Sequence, residues 1–441
     1  MLVTALIGGY LYGQESTELA GNHARAVMLA EEGIEVALNI RDDDFANLAD
    51  GTHGLAISGN QWVTTGSQDV TDIFTRQLVI STIDAQRKTA MSQVTWQQNP
   101  QRSGVVAITT RLTNWMASLA ASWTNAIGSA SLGFAGTNDG LKIQVQGNYA
   151  YVIRSDGTTD FTIVNISNPA APTIAGTLSM SGVPRNLFIS GNYAYITNAN
   201  NSGELFIVNI TNPTAPAIVG IYNAPGTADA NGVYVVGSNA YVVRVSSTSN
   251  EFLIINVGIP STPFLLGSLN LASTGYEVVV SGNYAYVASG HNSQELQVIN
   301  ISLPSLPSLV GSLDLSATAD ATTISYVGTR VFVGQSTQLR NISIASPTVP
   351  TLSGSYAAGS ANINDIALGF TNGGTYAFLA TSVGSAEFQV VDVTTPTAMT
   401  LLASVDVAGA SAMNGVAYQS TLDRAFGVSA GEPEFYVFAP Q

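Results

Sequence analysis

A single motif recurs along most of this chain at a period of about 45 residues, and it constrains the fold more than any other feature. The motif reads Gly-Asn-Tyr-Ala-Tyr-Val. It is followed by a polar loop, an apolar segment ending in Asn-Ile-Ser or Asn-Ile-Thr, a proline and a short apolar segment with a glycine. Copies, some of them diverged, begin at Gly147, Gly191, Gly237, Gly282, Gly328 and Gly374, and a degenerate seventh contains Arg424-Ala425-Phe426. Such a fixed period indicates repeated copies of one structural unit.

Each copy predicts four short β-strands. In the fourth copy they are Glu277–Ser281, Tyr284–Ala288, Leu296–Ile301 and Ser308–Leu313, rich in Val, Tyr, Ile and Leu and separated by turn residues. A repeat of about 45 residues with four strands is typical of a β-propeller blade. A helical-pair array is the alternative for this period, but no copy carries a helical apolar stripe. The sequence therefore predicts a mainly β chain with a seven-bladed β-propeller over residues 127–441.

The seventh copy lacks a fourth strand of its own. It supplies strands near Gly415–Gln419, Arg424–Val428 and Glu434–Phe438. Ahead of the first copy, Ile127–Leu132 resembles Val310–Leu315, which belongs to a fourth strand. We therefore predict that a strand within 127–133 completes the last blade, because circular closure leaves no open sheet edge around the ring.

The third strand of the repeat and its turn carry a family resemblance. Phe161-Thr162-Ile163-Val164-Asn165-Ile166-Ser167-Asn168-Pro169 and Leu205–Pro213 resemble the LVIVD repeat of bacterial and archaeal surface propellers. Asn usually replaces that family's Asp, and Asp392 keeps the acid. The resemblance covers residues 127–441 and implies a propeller architecture without indicating a ligand.

Residues 1–115 do not follow the repeat. Apolar residues at i, i+3 and i+4 spacing predict one long helix over residues 1–48. Residues 50–59 are rich in turn residues, and an antiparallel sheet is predicted within residues 55–115. Residues 116–126 are rich in Ala, Ser and Thr and predict a linker that is packed in part. The predicted strands are Ile73–Ile83, Thr89–Gln98 and Val105–Trp115.

A long N-terminal helix with a small antiparallel sheet resembles a type IV pilin or pseudopilin. The resemblance rests on Ala30–Glu35, Asn39–Leu48, Thr71–Arg76 and Val94–Trp96. In that family a hydrophobic N-terminal helix anchors the subunit in the membrane and later packs in the filament core. The resemblance implies an extracellular surface filament, with copies of this chain or other pilins as partners. The implied helix contacts are Leu2, Leu6, Leu11, Leu19, Val27 and Ile34.

Composition excludes several functions. The net charge is −15 and only two lysines occur, Lys88 and Lys142, so nucleic acid is not an expected partner. The absence of cysteine excludes disulfides, cysteine-ligated metals and cysteine nucleophiles. The three histidines, His23, His53 and His291, form no pattern typical of a catalytic triad or a zinc site. We therefore expect no catalytic residues, no enzyme activity and no required cofactor.

Recurring acids are the candidate ligand-binding residues of the propeller, because both sets are expected on one face around the central channel. The first set stands at the start of the third strands, and the second set stands in segments that lead into the innermost strands. The sets are Glu204, Glu251, Glu295, Glu387 and Glu434, and Asp229, Glu277, Asp320 and Asp365. Carboxylates suit Ca²⁺, which takes about 6–8 oxygen ligands, or a polar glycan. Solvated acids that recur through repeat duplication are the favoured alternative.

The sequence supports three classes of function. The favoured hypothesis is a structural subunit of a type IV pilus-like filament that displays the propeller on the surface. The alternative is a minor pilin or cell-surface adhesin that binds a glycan or protein, with Ca²⁺ as the candidate ion. A propeller hydrolase is the least favoured, because no acid–base pair with catalytic spacing is recognisable.

Overall fold

The computed structural model describes residues 2–43, 45–58, 61–84, 87–99, 102–114, 123, 126–130, 140–155, 159–315, 318–371, 374–407, 412–429, 431 and 433–440. Side chains of the first helix are described from Ala20 onwards. The chain forms two compact units, the N-terminal unit (residues 1–118) and the C-terminal unit (residues 119–440). No helix within the described ranges combines the length and the apolar character that a membrane crossing requires.

The N-terminal unit contains helix α1 (Leu2–Asp43), a short 3₁₀-helix (Phe45–Asn47) and a six-stranded antiparallel sheet. The strands are β1 (Gly51–Ser58), β2 (Gln61–Thr65), β3 (Asp69–Thr71), β4 (Phe74–Asp84), β5 (Arg87–Asn99) and β6 (Arg102–Thr113). They are arranged β2-β1-β4-β5-β6, with β3 also paired to β4. The expectation of a turn-rich segment at residues 50–59 was wrong, because β1 occupies most of it. The helix also ends earlier than residue 48.

The C-terminal part of α1 packs on this sheet through small side chains. Ala26, Ala30 and Ala37 are fully buried, and Val36 is buried against the same sheet. Gly33 lies so close to β5 that a Cβ atom there would overlap Ser92. The close approach removes apolar area from water on both elements, which is the main stabilising contribution to this contact.

Arg76 on β4 ties α1 to the sheet. Its guanidinium donates to Glu32 Oε2 of α1 at 2.7 Å and to Asp69 Oδ2 of β3 at 2.9 Å. Burial by itself lowers the pKa of Arg76, but hydrogen bonds and charge attraction from Asp69 and Glu32 outweigh it and the pKa is raised. The buried cation therefore stays charged and paired.

The C-terminal unit consists of seven four-stranded antiparallel sheets. The innermost strands are β8 (Gly140–Gln146), β12 (Pro184–Ser190), β16 (Ala230–Val236), β20 (Gly275–Ser281), β24 (Ala321–Val327), β28 (Ile363–Thr371) and β32 (Met413–Gln419). The second strands are β9 (Tyr149–Arg154), β13 (Tyr193–Asn198), β17 (Asn239–Arg244), β21 (Tyr284–Ser289), β25 (Arg330–Gln335), β29 (Gly374–Thr381) and β33 (Arg424–Ser429).

The outer half of each sheet follows the same order. The third strands are β10 (Phe161–Asn165), β14 (Leu205–Asn209), β18 (Phe252–Asn256), β22 (Leu296–Asn300), β26 (Gln338–Ser343), β30 (Phe388–Asp392) and β34 (Phe435–Phe438). The outermost strands are β11 (Thr173–Leu178), β15 (Ala217–Tyr222), β19 (Phe264–Leu269), β23 (Ser308–Leu313), β27 (Thr351–Ala357), β31 (Thr400–Val405) and, in the seventh sheet, β7 (Ala126–Ala130).

The innermost strands contact one another in sequence and form a closed ring, from β8 through β32 and back to β8. In the seventh sheet β7 pairs with β34, with Phe435 opposite Ala130 and Val437 opposite Gly128. The segment that the sequence assigned to the closing strand thus supplies the missing edge, and residues 131–133 of that assignment lie outside the described part of the chain. This is the arrangement of a β-propeller, with each sheet as one blade.

Turn chemistry explains the repeated motif. Five of the six glycines that open the motif have positive φ angles, for example 60° at Gly147 and 58° at Gly282, because the hairpin between the first two strands needs a left-handed residue there. Gly374 is the exception and begins β29. At the end of the third strand the Asn side chain accepts the backbone N–H two residues later, as Asn300 Oδ1 does from Ser302 at 2.9 Å. Asp392 accepts from Thr394 in the same way, so Asn and Asp are interchangeable at this turn.

Trp123 falls in the predicted linker, but it is fully buried in the core between the last blades. Its ring contacts those of Phe378 and Phe388, with centroids 5.2 and 6.1 Å away. Of the predicted linker, only Trp123 and Ala126 lie within the described residues, and both belong to the C-terminal unit. The predicted linker is therefore packed at Trp123, where burial of a large aromatic ring stabilises the C-terminal unit.

Candidate functional site

The central channel is the best-formed candidate site. Each innermost strand carries a β-bulge near its start. The first residue that pairs after this bulge has an equivalent position in all seven blades. These residues are Lys142, Asn186, Gly232, Glu277, Thr323, Asp365 and Gly415. Gly232 and Gly415 leave room for the charged neighbours, because a Cβ atom at Gly415 would lie 2.9 Å from the Cα of Lys142.

Three charged side chains from different blades meet at this position. Lys142 Nζ lies 2.5 Å from Asp365 Oδ1 and 3.2 Å from Glu277 Oε1. These side chains are between 9 and 17 % exposed, so the ion pairs are largely shielded from water. We call Lys142, Glu277 and Asp365 the channel cluster. It joins the first, fourth and sixth blades across the axis.

Glu277 is saturated with donors. Its Oε1 accepts from Asn186 Nδ2 at 2.9 Å in addition to Lys142, and its Oε2 accepts from Thr323 Oγ1 at 2.7 Å and from the Ile324 N–H at 2.9 Å. Burial raises the pKa of Glu277, but Lys142 and these hydrogen bonds outweigh that effect, so the pKa is lowered. Glu277 is therefore held as a carboxylate at neutral pH.

Asp365 accepts from Lys142 and, through Oδ2, from the Val416 N–H at 3.0 Å. The pKa of Asp365 is raised, chiefly by burial. Lys142 lowers this pKa and the neighbouring Glu277 carboxylate raises it, but the effect of burial is larger than either. Burial also lowers the pKa of Lys142, but the two carboxylates outweigh burial and raise it. The cluster thus carries one cation against two acids of unequal acidity.

A cavity of about 260 Å³ lies against the channel cluster and is lined by residues of all seven innermost strands. Its apolar wall includes Phe188 and Tyr234, whose ring centroids are 4.5 Å apart. Burial, with a hydrogen bond to Tyr326, raises the pKa of Tyr234. The lining of the cavity thus combines the charged cluster with aromatic rings, a mixture of polar and apolar groups that small-molecule sites also use.

The other two acids predicted before innermost strands lie elsewhere. Asp229 is half-exposed and its Oδ2 lies 3.6 Å from Arg185 Nη2. Asp320 accepts from the Tyr276 hydroxyl at 2.6 Å and borders an open cleft with Ser336 and Asn362. The structure therefore separates the second predicted set into two channel acids and two acids outside the cluster.

The acids at the start of the third strands do not form a ligand-binding face. Glu204, Glu251, Glu295, Glu387 and Glu434 are each at most 1 % exposed. In the first four, one carboxylate oxygen accepts the backbone N–H twenty residues later. The donors are the backbone N–H groups of Ala224, at 2.6 Å, and of Leu271, Leu315 and Val407, each at 2.9 Å. The prediction was wrong for these five residues, because the chain after the fourth strand folds back over them.

In the seventh blade the acid at the start of the third strand, Glu434, pairs with Arg154 of the first blade. Asp160 in the first blade repeats the backbone contact, accepting from the Met180 N–H at 2.6 Å. The constant spacing of twenty residues between each acid and an apolar residue was a usable sequence signal for this role. The equivalent signal for Lys142 was its position five residues before the motif glycine, which is where Glu277 stands in its own repeat.

Among the described residues, no group of three or more His, Cys, Asp or Glu side chains is arranged to hold a metal ion. His291 lies in a turn, where its Nδ1 approaches the Ser293 N–H at 3.3 Å. Carboxylates of the channel cluster are paired with Lys142 and with hydrogen-bond donors of the neighbouring strands. The geometry is that of a rigid polar connection across the ring.

Solved structures share the fold of the C-terminal unit. Raptor from Chaetomium thermophilum matches with a TM-score of 0.54 and 11% identity, over 73% of this chain and 29% of the Raptor chain. A protein from Lactobacillus plantarum matches with a TM-score of 0.53 and 11% identity, over 73% of this chain and 96% of that protein. The chain therefore spans less than a third of Raptor, and at this identity both likenesses show the fold alone. No curated protein matches the sequence.

The fold and the repeat define a protein of the β-propeller class. Four segments match the LVIVD repeat model, at residues 139–179, 181–224, 275–315 and 373–407. They correspond to the first, second, fourth and sixth blades. This chain therefore carries LVIVD repeats, as the third-strand motif predicted.

Proposed function

We propose that this chain is a structural subunit of an extracellular type IV pilus-like filament, in which α1 packs against the helices of other copies and the C-terminal unit is displayed. One observation carries the proposal, namely the length of α1 relative to its own sheet. Helix α1 has 42 residues, or roughly 63 Å, whereas the longest strand of the sheet, β5, has 13 residues, or roughly 43 Å. We call residues 2–19 of α1 the leading segment.

The composition of this leading segment supports the same proposal. Residues 1–12 contain no charged side chain in a chain whose net charge is −15. An apolar helical segment is stable when it is buried against another apolar surface. The predicted contacts Leu2, Leu6, Leu11 and Leu19 lie outside the described side chains. Val27 is half-buried within its own unit, and Ile34 packs against the core of its own sheet, so neither is fully available to a partner.

A display role also fits the C-terminal unit. The channel acids Glu277 and Asp365 are engaged by Lys142 and by backbone or side-chain donors, and the third-strand acids are buried. These fixed contacts hold the blades of the displayed head in place. Calcium is not part of this proposal.

Assembly of the full-length chain tests the proposal. Leu6→Asp and Leu11→Asp introduce a charge into the leading segment, whereas Met28→Asp introduces one at a side chain that is 69 % exposed on the same helix. We expect the unmodified chain and Met28→Asp to form filaments by electron microscopy, and Leu6→Asp and Leu11→Asp to remain unassembled. Equal behaviour of all three variants, or absence of the chain from purified host filaments, would contradict the proposal.

A second candidate function is an adhesin that binds a glycan or protein, and the cavity beside Phe188 and Tyr234 is the observation that favours it. A glycan array on the full-length chain tests it, with Tyr234→Ala as the cavity variant and Asp229→Asn as the variant outside the cavity. Binding that is lost only in Tyr234→Ala supports the adhesin. Absence of binding by the unmodified chain removes it.

A further inference from the structure

The rim of the propeller exposes a group of large apolar side chains on three consecutive blades. They lie on the outermost strands and on the turns that precede them, and we call them the rim patch: Phe264, Leu303, Leu306, Leu309, Val349 and Leu352. Their exposed fractions range from 44 % at Leu309 to 72 % at Leu306. Contiguous exposed apolar surface of this kind marks an interaction site more often than scattered single residues do.

These side chains belong to one surface because each turn lies on the neighbouring blade. A Cβ atom at Gly267, in the same strand as Phe264, would overlap the carbonyl of Pro304 in the next blade's turn. Likewise, a Cβ atom at Gly311, in the same strand as Leu309, would lie 2.7 Å from the carbonyl oxygen of Pro347. The turn of one blade therefore lies on the outer strand of the blade before it, and the patch is continuous from the third to the fifth blade.

The turns that carry the patch are preformed. The Leu306 N–H donates to the Leu303 carbonyl at 2.9 Å, and prolines follow both residues. The Val349 N–H donates to the Ser346 carbonyl at 3.0 Å in the equivalent turn. A contact made through such rigid turns loses little conformational entropy on binding.

Charge distribution indicates which partner fits. The chain has 29 acidic and 14 basic residues, so most of its charged surface repels another copy. The segments that build the patch, residues 252–276, 296–313 and 341–364, contain no charged residue. A second copy can therefore approach here without like-charge repulsion, and no side chain of the patch offers an electrostatic cue to a charged partner.

We propose that the rim patch is the contact surface between two copies of this chain, related by a twofold axis near Leu306 of the fourth blade. Such an isologous contact places the same residues on both sides. The contact is made by side chains rather than by pairing of β23 with its copy, because the Pro347 turn covers that edge at Gly311. The six residues form the apolar centre of an interface that needs about 20–30 residues a side. This surface is distinct from the α1 contacts proposed above.

Single cysteines provide a clean test, because the chain has none of its own. Leu306→Cys is compared with Ile174→Cys, an apolar rim residue of the first blade that is 40 % exposed. With copper phenanthroline and dissolved oxygen as the oxidant, we expect disulfide-linked dimers of Leu306→Cys at least tenfold more abundant than those of Ile174→Cys. Equal amounts for the two variants, or no dimer in either, would overturn the proposal.

Sedimentation of full-length variants tests the same contact without a covalent bond. Leu306→Glu is expected to weaken self-association at least tenfold, whereas Ile174→Glu leaves it unchanged, with circular dichroism confirming that both are folded. Combining Leu306→Cys with Leu6→Asp separates this contact from the helix. A linked dimer that persists when filaments are lost supports the rim contact alone. Loss of the dimer together with the filaments assigns it to helix-driven proximity and overturns the rim proposal.

Discussion

Glu434 in the seventh blade lies 3.4 Å from Arg154 in the first blade, measured from Oε1 to Nη2, and each side chain is 1 % exposed. The pair joins the two ends of the ring, alongside the pairing of β34 with β7. The position of Arg154 is taken in the third blade by Arg244, which interacts with Glu204 of the second blade. At these two junctions an acid of one blade thus faces a cation of the next.

Removal of Arg154 should destabilise the ring strongly. Arg154→Met leaves Glu434 buried without its cation, and we expect a loss of about 3–5 kcal/mol in the free energy of unfolding. Arg185→Met is the control, because Arg185 and its partner Asp229 are both part-exposed and such pairs contribute about 0–1 kcal/mol. Urea unfolding measures both. Similar losses in the two variants would show that the buried Arg154–Glu434 pair contributes no more to the free energy of unfolding than an exposed pair does.

Lys142→Met should destabilise the channel in a pH-dependent way. Glu277 and Asp365 then share a buried site without a cation, which we expect to cost about 3–5 kcal/mol at neutral pH. Burial already raises the pKa of Asp365, and loss of Lys142 raises it further, so the folded variant binds this proton more readily than the unfolded chain does. The stability of the variant relative to the unmodified chain should therefore recover as the pH falls from neutral towards 4. Adding Asp365→Asn to Lys142→Met should restore part of the stability. A loss that is independent of pH would show that packing, and not charge, holds the cluster.

Glu295 should act through its backbone contact. Glu295→Ala leaves the buried Leu315 N–H without an acceptor and should cost about 1–3 kcal/mol. Glu295→Gln keeps an oxygen at that place and should cost less. Thermal melting with and without calcium chloride checks the assignment further, with no calcium-dependent shift expected in any of the three chains. A shift in the unmodified chain that Glu295→Ala abolishes would restore this acid as a ligand.

Tyr276 should remain protonated to unusually high pH. Its hydrogen bond to Asp320, aided by burial, raises its pKa to about 12. The pKa of a tyrosine in the unfolded chain is about 10. The stability that the Tyr276 hydrogen bond contributes is therefore fully present below about pH 10, and it is lost as the pH rises towards 12. The ultraviolet difference titration between the unmodified chain and Tyr276→Phe isolates this tyrosine. Asp320→Asn should move that titration to lower pH, and an unchanged midpoint would exclude the hydrogen bond as the cause.

Two glycines of α1 should respond to alanine with opposite signs. Nothing lies within 4 Å of a Cβ atom at Gly21, so Gly21→Ala should stabilise the N-terminal unit by up to about 1 kcal/mol through helix propensity. Gly33→Ala would drive its Cβ into Ser92, and overpacking of this kind costs about 1–3 kcal/mol. Thermal unfolding followed by helical circular dichroism reports both. Stabilisation by Gly33→Ala would place the helix farther from β5 than the structure shows.

Local patterns were enough to predict the blades. The strands of the fourth copy were placed within two residues of β20, β21, β22 and β23, because alternating apolar residues and turn glycines are short-range signals. The N-terminal sheet was predicted less completely. Strands β1, β2 and β3 were missed because glycines and polar residues dominate residues 50–71, although Gly54 is needed where a Cβ atom would overlap the backbone of Gln68.

The sequence by itself determined the repeat, the four strands of each blade and the acids that recur in them. Only the tertiary structure decided what those acids do. Glu277 and Glu295 are 18 positions apart in one blade and of one type, yet the first faces the channel and the second is buried under Leu315. The partner of Asp365 stands 223 residues away at Lys142. Closure of the ring brings such distant residues together. The repeat pattern places Lys142 and Asp365 on their own strands, but it does not indicate which residues meet across the ring.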